Sequence, residues 1–418
     1  MSLRDRLRKL DEQARTRARA PQPSDTPPPS ALAAPGRTIE RVAEPTHVDE
    51  EREPGVLVRT SRYALATHHG HVALGGVHAI DRVRVGLAGR MGGPLDLERA
   101  LFLDTETTSL EGGASAYVFL VGLARVTKTE LIVEQILLEA PESEGRFLAR
   151  VADRLREHAQ LVTFFGKAFD RHRLDERFAF LGGEELARPM PHLDLYWLAR
   201  RMFEPVLRDG RLRTLEEQRL GVVRVRDLDG AECPDAWFDW ITGVGRDRLE
   251  RAITHNLHDV VSLVALLAHV DQVLESPGDA RIAAGAGRLL LELGAKQHAT
   301  PHLERALDAL RPGGVLVPDA VRRAALALAT QRRKDGDRDG AIEVWTRLAS
   351  ANEGDPEPIA LLLKEAKRRR EAPTVLQQHA RELRRRVLAT GSGGAKAKAW
   401  LDEAREWGGD ESSTRRPD

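Results

Sequence analysis

Residues 100–109 read Ala-Leu-Phe-Leu-Asp-Thr-Glu-Thr-Thr-Ser, an apolar run that ends in two acids separated by one residue. Because side chains alternate between the two faces of a β-strand, Asp104 and Glu106 lie on the same side if the strand continues through them. Two like charges held side by side repel each other, and carboxylate oxygens are ligands that Mg²⁺ and Mn²⁺ prefer. The stretch therefore predicts a strand that delivers two metal ligands, although taken alone it fits a strand end with solvated acids equally well.

A second acidic segment follows a later apolar run. Residues 161–170 read Leu-Val-Thr-Phe-Phe-Gly-Lys-Ala-Phe-Asp, which predicts a strand, a tight turn at Gly166 and a helix that begins near Asp170. A carboxylate beside the end of a sheet can bind a metal ion, although the helix dipole alone also favours an acid at the start of a helix. Lys167 is predicted either to contact a phosphate or to be a solvated turn residue.

The third segment combines an acid with a histidine. Residues 255–263 read His-Asn-Leu-His-Asp-Val-Val-Ser-Leu, and an apolar stripe that continues to Leu267 indicates the buried face of a long helix. Asp259 lies next to that face, and His255 lies one helical turn earlier on the same side. A histidine in this position is placed to orient or deprotonate a water near a metal-bound carboxylate. A lone histidine more often has a structural role, and it is the constellation that favours a functional one here.

The apolar runs around these segments predict an α/β fold. Short polar connections between the early runs indicate an antiparallel meander, which is followed by helix, strand, helix, short strand and helix. This order fits a mixed sheet flanked by helices. The weakly periodic residues 208–245 are predicted to be an insertion over the sheet. The predicted strands are 56–59, 72–74, 100–103, 116–126, 131–138, 161–165 and a short one at Leu193, and the predicted helices lie after Pro141, at 169–181, through Leu198 and Met202, and at 246–274.

Four segments are predicted along the chain. Residues 1–54 are interpreted as a disordered N-terminal arm and a proline-rich linker, and residues 55–275 as the α/β domain. Residues 280–390 are all helical in pattern, with helix pairs at a spacing that resembles degenerate tetratricopeptide repeats. An ordinary helical bundle is the alternative for this region. Residues 391–418 are predicted to be a flexible tail with one short helix at 395–407.

Composition limits the classes of function. The chain has 418 residues with 64 Lys and Arg against 64 Asp and Glu, so any nucleic acid must be bound by local patches and not by overall charge. The single Cys233 excludes a disulfide framework and a cysteine-based zinc site, and it is consistent with a reducing, cytoplasmic location. No transmembrane helix, secretory signal or membrane partner is expected. Aromatic residues make up 5% of the chain, which argues against an extended base-stacking platform.

The order Asp-x-Glu, Phe-Asp and His-x-x-x-Asp resembles the DEDD superfamily of 3′–5′ exonucleases and, more narrowly, the YprB-like ribonuclease-H-like domain family. Five stretches within about residues 100–270 carry this resemblance: FLDTETTSL, FFGKAFD, HLDLYWLARR, LRTLEEQRLGV and HNLHDVVSL. The resemblance implies a ribonuclease-H-like mixed sheet and hydrolysis of phosphodiester bonds at a single-stranded DNA or RNA end.

The resemblance also implies a set of site residues. Asp104, Glu106, Asp170 and Asp259 would hold two Mg²⁺ or Mn²⁺ ions and, with His255, form the catalytic site. In such sites one ion lowers the pKa of a bound water, and two ions about 3.5–4 Å apart brace the attacking and leaving oxygens. Implied substrate contacts are Thr105, Thr107, Lys167 and Phe169, and Asp194 is a candidate for supporting the ligands.

Two residues depart from the family pattern. His255 falls four residues before the last acid, where the tyrosine-type members carry Tyr, whereas Thr254 stands at the spacing of the histidine-type members. Phe165 stands where related proteins often have Asn before the Gly-Lys pair. Two alternatives therefore remain: an interaction protein with an inactive nuclease fold that binds nucleic acid or a protein partner through its helical repeats, and an endonuclease of the ribonuclease H type. The His-x-x-x-Asp pattern on a late helix favours the exonuclease over the endonuclease.

Overall fold

The computed structural model of the chain describes residues 42–109, 116–313, 317–390 and 394–407. The predicted N-terminal arm and most of the predicted linker, residues 1–41, lie outside the described residues. The same holds for residues 391–393 and 408–418 of the predicted tail.

The predicted α/β region is built on one mixed sheet. Its strands are β1 (His47–Glu53), β2 (Val56–Ala64), β5 (Ala100–Thr107), β6 (Val118–Val126), β7 (Glu130–Leu138), β8 (Gln160–Thr163) and β9 (His192–Asp194), and a separate hairpin joins β3 (His68–His69) to β4 (Val72–Ala73). The spatial order is β1-β2-β7-β6-β5-β8-β9. Strands β5, β6 and β7 pair antiparallel, whereas β8 runs parallel to β5 and β9 runs parallel to β8. The predicted mixed sheet is thereby confirmed.

Strand β1 corrects the linker prediction, because residues 47–53 pair along their whole length with β2. The side chains of this strand are mostly acidic and exposed, so the sequence lacks the apolar alternation that indicates a strand. Charged side chains are a common feature of edge strands, since they discourage pairing with another chain. Here they also bond to neighbours: Arg59 Nε donates to Glu50 Oε1 at 2.8 Å. The acidic run is therefore part of the sheet and not of a linker.

Helices cover both faces of this sheet. They are α1 (Arg82–Ala88), α2 (Glu144–Glu157), α3 (Asp170–Phe180), α4 (Leu195–Phe203), α5 (Leu212–Leu215), α6 (Cys233–Ile241) and α7 (Arg246–Glu275). Alternation along β5 separates two apolar layers, so that Leu101 and Leu103 pack with α2 and α6 while Phe102 packs with α4 and α7. The same alternation carries Asp104 and Glu106 to the Phe102 side of the strand.

Helix α7 is the central helix of the fold, and it matches the long helix predicted at 246–274. It crosses β6 closely at Gly122, where an added Cβ would meet Asn256 Oδ1 at 2.4 Å. By length and hydropathy alone, this helix is the one candidate membrane span in the described part of the chain. Within the fold, however, 78% of its most apolar window is buried, as in the core helix of a globular domain.

The residues after α7 form helices α8 (Ala280–Glu292), α9 (Lys296–Leu307), α10 (Asp319–Lys334), α11 (Arg338–Ala351), α12 (Glu357–Arg369), α13 (Pro373–Ala389) and α14 (Ala395–Trp407). The predicted pairs correspond to α8 with α9 and α10 with α11, and α12 with α13 forms a third pair. One apolar core continues from the Phe102 side of the sheet into these helices. At the junction α8 packs against α4, where an added Cβ on Gly285 would meet Met202 O at 2.6 Å. Their classification as tetratricopeptide repeats remains a prediction.

The last helix corrects the prediction of a flexible tail. Helix α14 has the bounds predicted for the short helix, but it is packed on the preceding helices. Ala397 and Ala404 are buried against them, and Lys367 Nζ lies 2.7 Å from Glu406 Oε2. The small buried residues of α14 lie on one face, which packs against the preceding helices. Helix α14 is therefore part of the helical region and not of a flexible tail.

Candidate active site

The acids predicted from three separate segments meet at one edge of the sheet. Asp104 and Glu106 on β5 and Asp259 on α7 each offer a carboxylate oxygen within 4.8 Å of the others. Asp170 joins them from the first turn of α3, where its Oδ1 accepts hydrogen bonds from the Thr105 N–H at 3.2 Å and the Thr105 hydroxyl at 2.5 Å. All four predicted metal ligands therefore belong to one cluster, which we call the acid cluster.

The acid cluster is an unfavourable arrangement of charge. Asp170 is buried, and the side chains of Glu106 and Asp259 are only 12% and 17% exposed. Burial, together with repulsion from the neighbouring acids, raises the pKa of Glu106 to about 8 and lifts the pKa of Asp104 well above its ordinary value. Burial likewise raises the pKa of Asp170 to about 6. A donor set of closely spaced carboxylates that repel one another fits a hard divalent cation, which would favour their ionised forms.

Asn256 fixes the position of Asp104. Its Nδ2 donates to Asp104 Oδ2 at 2.8 Å and to the Asp104 carbonyl at 3.3 Å. The amide is oriented in turn by Gln135 on β7, whose Nε2 donates to Asn256 Oδ1 at 2.9 Å. Asn256 is fully buried, so this contact is sealed between α7 and the sheet.

His255 faces the acid cluster with one ring nitrogen and an outer acid with the other. Its Nδ1 lies 3.1 Å from both carboxylate oxygens of Asp227, so Nδ1–H donates there. Its Nε2 lies 3.6 Å from Asp259 Oδ2 and 3.9 Å from Glu106 Oε1. Burial alone would lower the pKa of this imidazole, but attraction to Asp259, Asp227 and Glu106 raises it to about 9.

A buried arginine holds Asp259. The guanidinium of Arg224 bonds to Asp259 and to Glu216, and it lies 3.3 Å from Asp227. Its side chain is 2% exposed. A guanidinium bonded to several acids in a buried place is a rigid anchor, because its planar fork fixes the direction of each bond. Arg224 therefore sets the orientation of Asp259 and contacts the acid that orients His255.

The anchor extends away from the acid cluster through one acid. Glu216 lies in a π-helical turn (Glu216–Leu220) that follows α5 and ends at Gly221, which has a φ of 74°. Its carboxylate accepts a hydrogen bond from the Ser262 hydroxyl, and Ser262 Oγ lies 2.7 Å from His69 Nε2. Burial lowers the pKa of His69 to about 3, so the ring is neutral. Because its Nδ1 accepts the Ala43 N–H at 3.2 Å, its Nε2–H donates to Ser262. This network ties the insertion to α7.

The single cysteine lies beside the acid cluster. Cys233 Sγ, Glu106 and His255 offer three potential ligand atoms within 4.8 Å of one another. Burial and the neighbouring acids raise the pKa of the thiol, so it stays protonated near neutral pH. The neutral thiol therefore contributes a weak hydrogen-bonding group at the back of Glu106.

The other predicted site residues have mixed placements. The Thr105 hydroxyl bonds to Asp170, and Thr107 Oγ1 donates to the Ser109 carbonyl at 3.2 Å, so both hydroxyls are used inside the protein. Lys167 and Phe169 are half-buried in the turn before Asp170. The Thr105 hydroxyl thus positions Asp170, and substrate contacts of Thr105, Thr107, Lys167 and Phe169 remain predictions.

Asp194 supports the turn that leads to Asp170. Its carboxylate accepts the backbone N–H groups of Phe165 at 2.8 Å, Lys167 at 3.0 Å and Tyr196 at 3.1 Å. The neighbouring His192 bonds elsewhere, since its Nε2 lies 2.7 Å from the Thr163 hydroxyl. Asp194 therefore caps α4 and braces the turn, as an acid at the start of a helix often does.

Several residues of the site were missed from the sequence. Arg224 and Asp227 lie in the segment that was interpreted only as an insertion of weak periodicity. No local sequence pattern predicts them, because their partners Asp259 and His255 lie 35 and 28 residues away in the chain. Asn256 had a usable signal, since it is a polar residue within the apolar face of a long helix and stands next to His255.

Comparison with known proteins agrees with this geometry. Residues 101–271 match the RNase_H superfamily. The uncharacterized protein YprB of Bacillus subtilis (strain 168) is 28% identical over 301 residues, which cover 70% of this chain and 71% of that protein. The family B DNA polymerase of Pyrobaculum calidifontis aligns at 18% identity with a TM-score of 0.32, over 52% of this chain and 29% of the polymerase chain. The mixed seven-stranded sheet with its flanking helices is consistent with a ribonuclease-H-like fold over the matched residues.

Proposed function

We propose that this chain is a metal-dependent nuclease that removes nucleotides from the 3′ end of single-stranded DNA or RNA. The observation that carries the proposal is the acid cluster: four acids from β5, α3 and α7 converge although their charges repel. A ribonuclease H superfamily domain supports the general class of nuclease. The direction of cleavage rests on the order of the motifs and on the histidine one turn before Asp259.

Asp104, Glu106, Asp170 and Asp259 would hold one or two Mg²⁺ or Mn²⁺ ions. Such ions, when bound, activate a water and neutralise charge on the phosphate. The work of the protein is to keep the four carboxylates in place: Asn256 holds Asp104, Thr105 holds Asp170 and Arg224 holds Asp259. Supporting contacts of this kind commonly change activity by about 10–100-fold when removed.

His255 is the proposed proton acceptor. Asp227 accepts its Nδ1–H, which leaves Nε2 as the atom that faces the acid cluster and can accept a proton from a water there. The acids raise the pKa of the imidazole to about 9, so neutralising their charge lowers it towards the range in which a neutral imidazole acts as a base. This arrangement gives His255 the place that the tyrosine-type relatives give to Tyr.

The test is hydrolysis of end-labelled single strands of DNA and RNA with Mg²⁺, with Mn²⁺ or with a chelator. We expect stepwise shortening from the 3′ end, no cleavage of a circular strand and no activity with the chelator. Asp104→Asn should abolish the activity, whereas the matched control Asp153→Asn, at an exposed acid of α2, should retain it. Cleavage of the circle would indicate an endonuclease. Metal-independent hydrolysis, or an active Asp104→Asn protein, would remove the proposal.

A further inference from the structure

Three aromatic rings lie together beside the acid cluster. The ring of Phe165 is 4.9 Å from the ring of Tyr196 and 6.3 Å from that of Trp197, and the latter two are 5.0 Å apart. Phe165 follows β8, and the other two open α4. We call these three residues the aromatic patch. Composition argued against an extended platform of aromatic residues, but this patch is local and is assembled from two segments.

Two rings of the aromatic patch are exposed to solvent and are not buried in the core. Phe165 is 42% exposed and Trp197 is 47% exposed. Phe165 also has a φ of 68°, a left-handed conformation that is costly for a bulky side chain. The bond from its N–H to Asp194 holds this conformation. Strained residues that present a side chain to solvent occur preferentially at functional sites.

Cationic side chains surround the patch. Lys167 and Arg171 lie in and after the same turn, and Arg200 Nη1 donates to the Tyr196 hydroxyl at 3.0 Å. Within the described part of the chain, no carboxylate forms an ion pair with any of these three cations. The charge of Asp194 acts on Lys167 without forming an ion pair, and its carboxylate is already used by backbone N–H groups. Cations without a direct ion-pair partner, next to exposed rings, suit a ligand that has both negative charge and flat apolar faces.

The patch is continuous with the acid cluster. Four residues lie between Phe165 and Asp170, and the turn that they form is closed by hydrogen bonds from Ala168 N to Phe165 O at 3.1 Å and from Arg171 N to Gly166 O at 3.2 Å. Strand β8 is also the parallel neighbour of β5, which carries Asp104 and Glu106. A chain molecule whose reacting group lies on the acids therefore reaches the patch with the units next to that group.

We propose that the aromatic patch is a stacking site for unpaired nucleobases of the single strand whose phosphodiester lies at the acid cluster. Nucleobases supply the flat faces, and the phosphates between them supply the charge that Lys167, Arg171 and Arg200 meet. Stacking on aromatic side chains is tolerant of sequence, because every base has a π face. This inference rests on the proposed function and names where the substrate is held.

The test measures binding in the Asp104→Asn background, so that the strand stays intact. The probes are a labelled DNA oligothymidylate, a labelled RNA oligouridylate, and the same strands with abasic units near the 3′ end. Phe165→Gly removes the ring and also relieves the left-handed strain, so this variant should fold at least as well as its parent. Trp197→Ala is the second variant. Phe180→Ala, at an aromatic residue that is 57% exposed on α3, is the matched control.

We expect Phe165→Gly and Trp197→Ala each to weaken binding of the base-bearing strands by about 5- to 150-fold. The same variants should leave binding of the abasic strands unchanged, and Phe180→Ala should change neither. Equal losses for base-bearing and abasic strands, or no loss for either, would overturn the stacking site. Binding that depends on the rings only for RNA or only for DNA would support the site and show which polymer it accepts.

A separate measurement distinguishes the two proposals. If the protein without substitutions hydrolyses the strands but the aromatic variants bind them normally, the stacking site is wrong and the nuclease proposal stands. If the strands are not hydrolysed yet binding shows the expected dependence on rings and bases, the nuclease proposal fails and the stacking site stands.

Discussion

The acid cluster and the helical region α8–α14 treat charge in opposite ways. In the helical region acids lie beside cations: Arg322 bonds to Asp355 at 2.6 Å and to Glu357 at 2.5 Å, and Arg386 bonds to Glu382 at 2.7 Å. In the acid cluster, by contrast, Asp104 and Glu106 lie beside further acids, and burial together with this repulsion raises their pKa values.

This difference distinguishes charges that stabilise the fold from charges whose arrangement suits the binding of a ligand. A fold under no other constraint places opposite charges together, because an uncompensated charge in a place of low exposure is costly. The acid cluster keeps its repulsion, and it is held in place by amide, hydroxyl and guanidinium groups around it. The comparison therefore predicts that substitutions in the two regions have opposite effects on activity and stability.

The largest effect is expected from Asp104→Asn. Loss of one metal ligand should reduce hydrolysis by about 10³-fold or more, which corresponds to about 4 kcal/mol of activation free energy. The substitution also removes one of the repelling charges, so the free energy of unfolding without metal should stay the same or increase. Activity assays and urea denaturation in a chelator test the two halves. A strongly destabilised but active protein would break the comparison.

A smaller loss is expected from Asp227→Asn. The imidazole of His255 would face a neutral amide, whose NH₂ can donate to Nδ1 and so favour the wrong tautomer. Hydrolysis should therefore fall by about 10²-fold through kcat, with KM nearly unchanged. Asp227→Glu should restore part of the loss, and Asp229→Asn, two residues further along the chain, serves as the control. An unchanged kcat would show that His255 is oriented by other contacts.

In the helical region the effect should fall on stability. Asp355 is 7% exposed and accepts two bonds from Arg322, so Asp355→Asn should lower the free energy of unfolding by about 2 kcal/mol. Activity at a temperature where the variant is folded should equal that of the parent protein. If hydrolysis fell together with stability, the helical region would be part of the catalytic machinery, and the contrast would be lost.

The smallest effect is a dependence of stability on pH. The pKa of Glu106 is raised to about 8 in the folded protein, so the protonated form is favoured by folding, and this stabilisation is lost as the pH rises from about 5 to 8. Glu106→Gln cannot lose a proton. Without metal, the free energy of unfolding of this variant should therefore increase relative to that of the parent over this pH range. The expected increase is on the order of 1 kcal/mol, because the neighbouring acids share their repulsion.

Chemical denaturation in a chelator at several pH values measures this difference. Glu142→Gln, at an exposed acid whose substitution should leave the difference independent of pH, is the control. If the difference between Glu106→Gln and the parent were constant with pH, Glu106 would be ionised throughout and the acid cluster would not be under electrostatic strain.

The sequence was sufficient where the signal is local. The apolar run that ends in Asp104, the turn before Asp170 and the stripe of α7 each identify an element and the residue that it carries. Their convergence followed from the order of strands and helices, because the ends of β5 and β8 meet at one edge of a sheet. The helix pairs of the C-terminal region were likewise visible from the spacing of small and large apolar residues.

The sequence was insufficient where position depends on distant partners. Arg224 and Asp227 belong to a segment without apolar periodicity, and only the folded chain brings them to Asp259 and His255. The aromatic patch joins Phe165 to residues of α4 that follow a different strand. The charged strand β1 was hidden for a different reason, since its pairing comes from the backbone and from ion pairs and leaves little apolar pattern.

The close packing of α8 on α4 also bears on how the protein can be divided. Although the motifs of the proposed catalytic site end before residue 275, the apolar side of α4 and α7 is completed by helices that come later in the chain. A fragment that ended at Glu275 would expose that apolar side to solvent and would be prone to aggregate. The end of the motifs is therefore not the end of the folded domain, and truncated versions of the protein should keep the last seven helices, α8–α14.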